Sequence, residues 1–422
     1  MKMDKTIKSA QSGPFTASVP GSKSLTHRML IAASLAAGES VIENALLSRD
    51  TELTREGLVR MGAGITQNGS RLEITGTGAD LAPYSDPIYL ENSGTSMRLL
   101  SAVAVLGKGA YTLTGSRRMC ERPVGELLSA INALGAVAEA LSPGGCPPVR
   151  IKCRPITGSH VYVDCRKSSQ FLSALLLISP YCPEGLAISV SGGLVSRPYV
   201  DLTLSVMNSF GVEVKREGYE NFSVTGKDFY LPGKYAVEPD ASAASYFFAA
   251  GAITVNPVTV PGLSATSAQG DAGFVRVLEK MGAVVREGRQ GITVSGGELK
   301  GITVDMGDMP DVVPTLAAVA AFAKGTTRIL NVAHLKVKES DRLEAIVREL
   351  SRMGIKAATD GETLTIEGGV PKPASIETYE DHRIAMSFAV IGLRAPGTVI
   401  RDPSCVGKSF PDFWDQWEKM YA

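Results

Sequence analysis

Charged and hydroxyl side chains recur in this sequence where apolar helical segments begin. The segments come in pairs. The first of each pair starts at Gly21-Ser22-Lys23-Ser24, Asn92-Ser93-Gly94-Thr95, Ser168-Ser169-Gln170, Asp240-Ala241-Ser242, Asp311 and Asp381-His382-Arg383. The second starts near Arg49-Asp50, Arg122-Pro123, Ser196-Arg197-Pro198, Ser267-Ala268-Gln269, Lys338-Glu339-Ser340-Asp341-Arg342 and Lys408-Ser409. A helix N-terminus has unpaired N–H groups and about half a positive charge, so it attracts anions. Ser, Thr, Asn and Asp at such a place are first of all caps. Lys or Arg there opposes the macrodipole. Lys23, Arg122, Lys338, Lys408 and, within the first turn, Arg383 would all take that penalty. Five cations in corresponding places point to a bound polyanion that offsets the repulsion. Arg suits bidentate carboxylate and phosphate contacts, and Lys acts as a point charge.

The acids among these cations supply proton chemistry. A carboxylate beside several cations keeps a low pKa and acts as a base. Asp311, Glu339 and Asp381 are the candidates, whereas Asp341 reads as a cap. His382 lies between two charged residues and His334 lies shortly before Lys338. His27 falls inside an apolar helical pattern and reads as a packed residue. Cys120 precedes Glu121-Arg122, where an ordinary packed thiol is the commoner reading. The sequence has neither a GxxxxGK[ST] loop nor GxGxxG after a strand, so no nucleotide-binding motif supports that class of ligand.

A repeating phrase must position these residues. It runs amphipathic helix, apolar residue and Gly, strand, polar turn, strand. Its markers are Met61, Leu134, Phe210, Met281 and Met353, spaced by 73, 76, 71 and 72 residues. The Gly after each marker predicts a left-handed cap. Asn68-Gly69 and Asp360-Gly361 predict hairpin turns. Each unit also has an earlier helix that is apolar nearly all round and therefore buried. In the later helix of the fifth unit, Leu343, Ile346, Val347, Leu350 and Met353 follow the helical period. The pattern gives six strand–helix–strand–helix–strand–strand units, three per domain. The sixth lacks its last strand pair, and KTIKSA and PFTASVPG at the N-terminus are expected to close it. The termini then share a domain of residues 1–20 and 236–422, and residues 21–235 form the second. Pro20-Gly21 and Pro232-Gly233 stand near the crossings.

Composition agrees with an ordinary globular chain. Of 422 residues, 44% are hydrophobic and 20% charged, which excludes disordered and collagenous classes. Lys+Arg and Asp+Glu are 43 each, so any anion site is local and a general nucleic-acid binder is not expected. Six cysteines without a CxxC pair, and four histidines, argue for reduced thiols and no metal site. The N-terminus lacks a signal-peptide core, and the uncharged stretch around Tyr246–Val255 is too short to span a bilayer. These features predict a soluble, cytoplasmic protein with no membrane partner.

At this point the sequence resembles a known family. PGSKSLTHR, NSGTSMR, ERP, KSSQF, SRPY, Pro310-Asp311, KVKESDRL, DHRIAMSFAV and GKSFPDFW resemble, in order and across the chain, the signature blocks of the 5-enolpyruvylshikimate-3-phosphate synthase family. The resemblance implies an α/β chain of α+β repeats. It is the two-domain enolpyruvyl transferase fold of six βαβαββ units, with buried helices whose N-termini face the interdomain cleft. It also implies transfer of the enolpyruvyl group of phosphoenolpyruvate to the 5-hydroxyl of shikimate 3-phosphate, by addition and elimination through a tetrahedral intermediate. No metal or organic cofactor is implied. A monomer is implied, as is binding of the inhibitor glyphosate, with Gly94 leaving room for it.

The resemblance also assigns roles. Lys23, Asp311 and Glu339 would be catalytic. Lys23, Ser24, Arg28, Ser168, Ser169, Gln170, Ser196, Arg197, Tyr199, Asp311, His334 and Lys338 would bind shikimate 3-phosphate. Lys23, Asn92, Gly94, Thr95, Arg122, Gln170, Arg342, Arg383 and Lys408 would bind phosphoenolpyruvate. Asp381 and His382 would support them. His334 stands where members often carry Asn. The sister enzyme that uses UDP-N-acetylglucosamine is disfavoured, because its usual Cys loop is absent and the KESDR block favours the shikimate enzyme. An anion-binding scaffold without catalysis would not need acids at Asp311 and Glu339.

Overall fold

The computed structural model describes residues 4–254 and 256–421. The apolar segments form helices throughout. In chain order these are α1 (Lys23–Leu35), α2 (Arg49–Arg60), α3 (Gly94–Val103), α4 (Gly125–Ala133), α5 (Gln170–Ile178) and α6 (Pro198–Ser209). They continue as α7 (Ala241–Thr254), α8 (Phe274–Met281), α9 (Val313–Ala320), α10 (Arg342–Arg352), α11 (His382–Gly392) and α12 (Phe413–Glu418). The odd-numbered helices are the ones apolar on every side, and they are buried. All eleven residues of α11 are buried, as are most of α1 and α7. The even-numbered helices bury one stripe; in α10 this is Leu343, Ile346 and Leu350. The repeat glycines end them as expected. Gly62, Gly135, Gly211, Gly282 and Gly354 all take positive φ, a conformation that costs glycine little.

The chain folds into two compact units, Met1–Pro20 with Glu238–Ala422, and Gly21–Val237. Each has its own apolar core. Among the described residues the strands form six sheets. Three follow the repeat in full: Ile88–Lys152, His160–Val224 and Thr303–Glu367 each supply four strands to one sheet. In each, the first two strands are parallel across a helix and the last three antiparallel.

The remaining three sheets correct the expectation for the termini. Lys5–Thr6 does join the sixth unit, antiparallel to Val399–Ile400. Phe15–Thr16 does not; it pairs in parallel with Val258–Pro261 in the fourth unit. Reciprocally, Lys234–Ala236, which precedes α7, pairs in parallel with Ala37–Glu43 of the first unit. At each passage between units the strand ahead of the helix thus stays in the sheet of the unit the chain is leaving. The physical reason is reach: the strand can pair at once with an open edge at hand. Val237 N donating to Glu43 O, and Asp240 N to Pro20 O, carry each unit's backbone bonding up to the passage.

The C-terminal segment is pinned by aromatic packing. Phe410, Phe413 and Trp417 are buried and surround Phe247 of α7, with ring centroids 5.5 to 6.3 Å apart. Burying each such ring contributes about 1.5–3 kcal/mol. This anchor fixes the turn Pro403–Lys408, and with it Lys408.

Candidate active site

Unit Gly21–Val237 brings the heads of α1, α3 and α5 together with the loops before α4 and α6. Lys23 opens α1, and its Nζ lies 3.3 Å from Asp50 Oδ2 in the first turn of α2, both side chains nearly buried. Gly94 opens α3 and Gln170 opens α5. Gln170 Nε2 donates to Thr95 Oγ1 at 3.0 Å, and its Oε1 accepts from Arg98 Nη1 at 2.8 Å. Arg122 is buried, and its Nη1 donates to the carbonyl and the side-chain oxygen of Asn92 at 3.1 and 3.0 Å. The two guanidinium groups lie against Gly94. A Cβ there would stand 2.4 Å from Arg122 Nη2 and 2.8 Å from Arg98 Nη1. This residue is glycine because two cations occupy the space a side chain would need.

Around α6, Ser196 is buried with φ +55°, a left-handed backbone held just ahead of the helix. Arg197 is the N-cap, and its guanidinium lies 5.5 Å over the Tyr219 ring. Ser168 Oγ accepts from Gln170 N at 3.2 Å, and Ser169 is buried as the N-cap of α5. Arg28 is enclosed. It donates to Thr203 Oγ1 at 2.7 Å, Ser24 O at 2.9 Å, Tyr199 O at 3.1 Å and Ser173 Oγ at 3.3 Å. Burial lowers this guanidinium to about 10, so it stays cationic at neutral pH. His27 Nδ1 is 2.8 Å from Thr54 Oγ1, and burial pulls the ring down to about 3. It is a neutral packed residue, as its apolar context implied.

The other unit holds a net of acids and cations at the heads of α10 and α11. Arg342 is buried and touches three carboxylates. Nε donates to Asp381 Oδ2 at 2.9 Å, Nη1 to Asp311 Oδ1 at 3.1 Å and Nη2 to Glu339 Oε2 at 2.8 Å. Burial acts to lower this guanidinium, but Asp381, Glu339 and Asp311 outweigh it and hold it above its ordinary value. Arg383 Nη2 donates to the other oxygen of Asp311 at 2.6 Å. Lys408 Nζ donates to Glu339 Oε1 at 3.4 Å. Asp381 caps α11 by accepting from Arg383 N at 3.0 Å, and Ser340 Oγ donates to it at 2.9 Å. His382 is buried, its Nδ1 3.8 Å from Asp381 Oδ1. His334 is mostly buried; burial, then Lys338, lowers it to about 3, so it is uncharged at neutral pH.

The helix-dipole expectation needs correction for three of the five cations. Lys23 and Arg383 do lie in first turns. Arg122 lies three residues before α4, Lys338 four before α10, and Lys408 at the end of a 3-10 turn five before α12. Their lead-in segments turn before the α-helix starts, so these three do not oppose a helix dipole. What gathers Arg342, Arg383 and Lys408 in the unit that includes Glu238–Ala422 is the acids they bond. Arg98, Asp50, Tyr246 and Asp271 join these nets through contacts that sequence pattern does not reveal. Arg98 lies one helical turn after Gly94, a spacing that could have exposed it. Tyr246 accepts from Arg383 Nη1 at 3.4 Å. Asp271 is buried, accepts from Ser242 Oγ, and is pushed up by burial and by Asp311. It lies 40 residues from Asp311, and no local pattern links the two.

Residues 7–417 match the family model described as EPSP synthase (3-phosphoshikimate 1-carboxyvinyltransferase). A 3-phosphoshikimate 1-carboxyvinyltransferase of Nostoc punctiforme is 42% identical over 408 residues, 96% of each chain. That of Syntrophobacter fumaroxidans is 42% identical over 422 residues, covering 99% of this chain and all of the relative. The solved EPSP synthase of Acinetobacter baumannii is 28% identical with a TM-score of 0.82, covering 99% of this chain and 98% of its own.

Proposed function

Because the chain belongs to the EPSP synthase family, we propose that it transfers the enolpyruvyl group of phosphoenolpyruvate to the 5-hydroxyl of shikimate 3-phosphate, releasing phosphate. The observation that carries this reading is the acid–cation net of Asp311, Glu339, Arg342, Arg383 and Lys408. The reaction needs two proton-handling groups held among cations that bind a phosphate and a carboxylate, and this net supplies both.

Asp311 takes the proton of the 5-hydroxyl as that oxygen attacks C2 of phosphoenolpyruvate. Glu339 delivers a proton to the methylene carbon, giving a tetrahedral intermediate. The intermediate then loses phosphate, which carries away the proton Asp311 had taken, and a methyl proton, which returns to Glu339. Arg342 and Arg383 bind the carboxylate of phosphoenolpyruvate. Lys408, Arg122, Gln170 and Lys23 take its phosphate, with Asn92, Gly94 and Thr95 shaping the pocket. The ammonium assigned to the leaving phosphate stands 3.4 Å from the carboxylate assigned to the methyl proton, which suits a coupled elimination. Preorganised donors of this kind are each worth about 10²–10³ in kcat.

Ser168, Ser169, Ser196, Arg197 and Tyr199 bind the 3-phosphate. Ser24 and Arg28 serve the shikimate carboxylate; four of the five Arg28 N–H groups are used within the protein, so the fifth is the one it offers. Lys338, His334 and Asp311 take the ring hydroxyls, and Asp381 and His382 hold the arginines in place. In the same reading the enzyme works as a cytoplasmic monomer without a cofactor and binds glyphosate in place of phosphoenolpyruvate. No helix among the described residues is long and apolar enough to cross a membrane.

Phosphate release from phosphoenolpyruvate, measured with shikimate 3-phosphate and with UDP-N-acetylglucosamine separately, tests the proposal. Release with shikimate 3-phosphate alone is expected. Release with the UDP-sugar alone, or with neither acceptor in folded protein, rejects it.

A further inference from the structure

The loop that delivers Asp381 and Arg383 to the site is strained. Tyr379 and Glu380 both have φ +55°, a left-handed backbone that neither side chain favours. Asp381 N donates to Thr378 O at 2.8 Å, so these two are the central residues of a tight turn. Left-handed φ at both central positions belongs to turns usually made by Gly, Asn and Asp. Strained backbone persists where its surroundings over-determine it, and it concentrates at functional sites.

The surroundings here are specific. Glu349, two helical turns along α10 from Arg342, is completely buried. Its Oε1 accepts from Tyr379 OH at 2.5 Å, and its Oε2 accepts from Glu377 N at 3.2 Å. Arg352 Nη1 lies 3.4 Å from Oε2 and donates to Ser375 O at 3.3 Å. The Arg348 guanidinium lies 6.0 Å over the Tyr379 ring. One buried carboxylate thus grips the entry to the turn, at Glu377 N and the Tyr379 hydroxyl, from the helix that begins with Arg342.

We propose that Glu349 and Tyr379 are positioning residues: they hold the turn at 378–381 in its left-handed form and so set the register between Arg342, on α10, and Asp381 and Arg383, at the head of α11. The effect on substrate acts through Arg383 and rests on the function proposed above. A 1 Å misplacement of a binding group is costly even when the change that causes it is remote.

The test measures KM for phosphoenolpyruvate, kcat and the thermal midpoint for Tyr379→Phe and Glu349→Gln, each with and without Glu380→Gly. Tyr379→Phe keeps the ring and deletes the hydroxyl. It is expected to raise KM about tenfold with kcat within about threefold, the signature of lost binding shared by ground and transition states. Glycine adopts φ +55° without strain, so adding Glu380→Gly is expected to return KM to within about threefold of the parent. If Tyr379→Phe does not fold, Glu349→Gln, which keeps one acceptor oxygen, carries the same comparison. A lower thermal midpoint with unchanged KM overturns the proposal, and so does a raised KM that Glu380→Gly leaves in place. Parent protein without turnover would instead overturn the proposed function.

Discussion

A methyl group on Gly94 would stand 2.4 Å from Nη2 of Arg122. The conflict is with the far end of a side chain, so the guanidinium would move and the backbone would not. Gly94→Ala is therefore expected to spare folding and displace the cation assigned to the phosphate of phosphoenolpyruvate. KM for that substrate should rise by about tenfold, close to the loss of one charge-assisted hydrogen bond, with a thermal midpoint near the parent's. Steady-state kinetics and a melting curve check both halves. A large loss of stability at unchanged KM would contradict the geometry.

The missing side chain at Gly94, which lets Arg122 and Arg98 lie against the backbone, also bears on glyphosate, which the proposed function places in the phosphoenolpyruvate site. The parent enzyme is expected to be inhibited competitively with phosphoenolpyruvate, and Gly94→Ala to be less sensitive. Turnover unchanged in glyphosate at millimolar levels would sink this expectation.

Arg342 bonds to Asp381, Asp311 and Glu339 while almost fully buried. Removing one partner of a buried ion pair costs about 3–5 kcal/mol, because the remaining charges stay in a poor solvent. Arg342→Met should therefore unfold at a much lower denaturant concentration than the parent, and should lose activity. Arg342→Lys should not rescue it, since one ammonium cannot reach three carboxylates along a planar fork. Equilibrium denaturation of both variants checks this.

His27 and His334 are both lowered to about 3, chiefly by burial. In the unfolded chain each titrates near 6.5. Below that pH the unfolded state binds protons that the folded state refuses, so stability is lost as pH falls from about 6.5 toward 3. For one such histidine the loss is about 2 kcal/mol by pH 5. His27→Gln should therefore lose less stability than the parent between pH 7.5 and pH 5. Urea midpoints at the two pH values measure the difference, and parallel losses would rule out His27 as a source.

Repeat count and helix types were legible because they depend on local pattern: glycine caps, hairpin turns and the period of apolar residues. The destination of Phe15–Thr16 was not, because a two-residue strand says nothing of which open edge it meets. The same limit hid the partners of Asp50 and Asp271, which lie on other elements. Lys408 ends a 3-10 turn and opens no helix. Its neighbours predicted a helix start, whereas a 3-10 turn and an aromatic anchor place it against Glu339. Residues spaced along one segment, such as Glu339 and Arg342, were found together. Pairings across segments needed the fold.

Asp311 gives the sharpest test of the chemistry. Its two oxygens are held by different guanidiniums, Arg342 at 3.1 Å and Arg383 at 2.6 Å, so its orientation is fixed before substrate arrives. Asp311→Asn keeps the shape and one acceptor oxygen but removes the base. Loss of a positioned general base costs about 10²–10⁴ in rate, so kcat should fall by that range. Shikimate 3-phosphate should still bind within a few-fold, because its 3-phosphate is assigned to Ser168, Ser169 and Ser196 and not to Asp311. Single-turnover kinetics and calorimetric titration separate the two quantities. A kcat within tenfold of the parent would assign the hydroxyl proton elsewhere. Binding lost in parallel with kcat would make Asp311 a substrate ligand without a proton-transfer role.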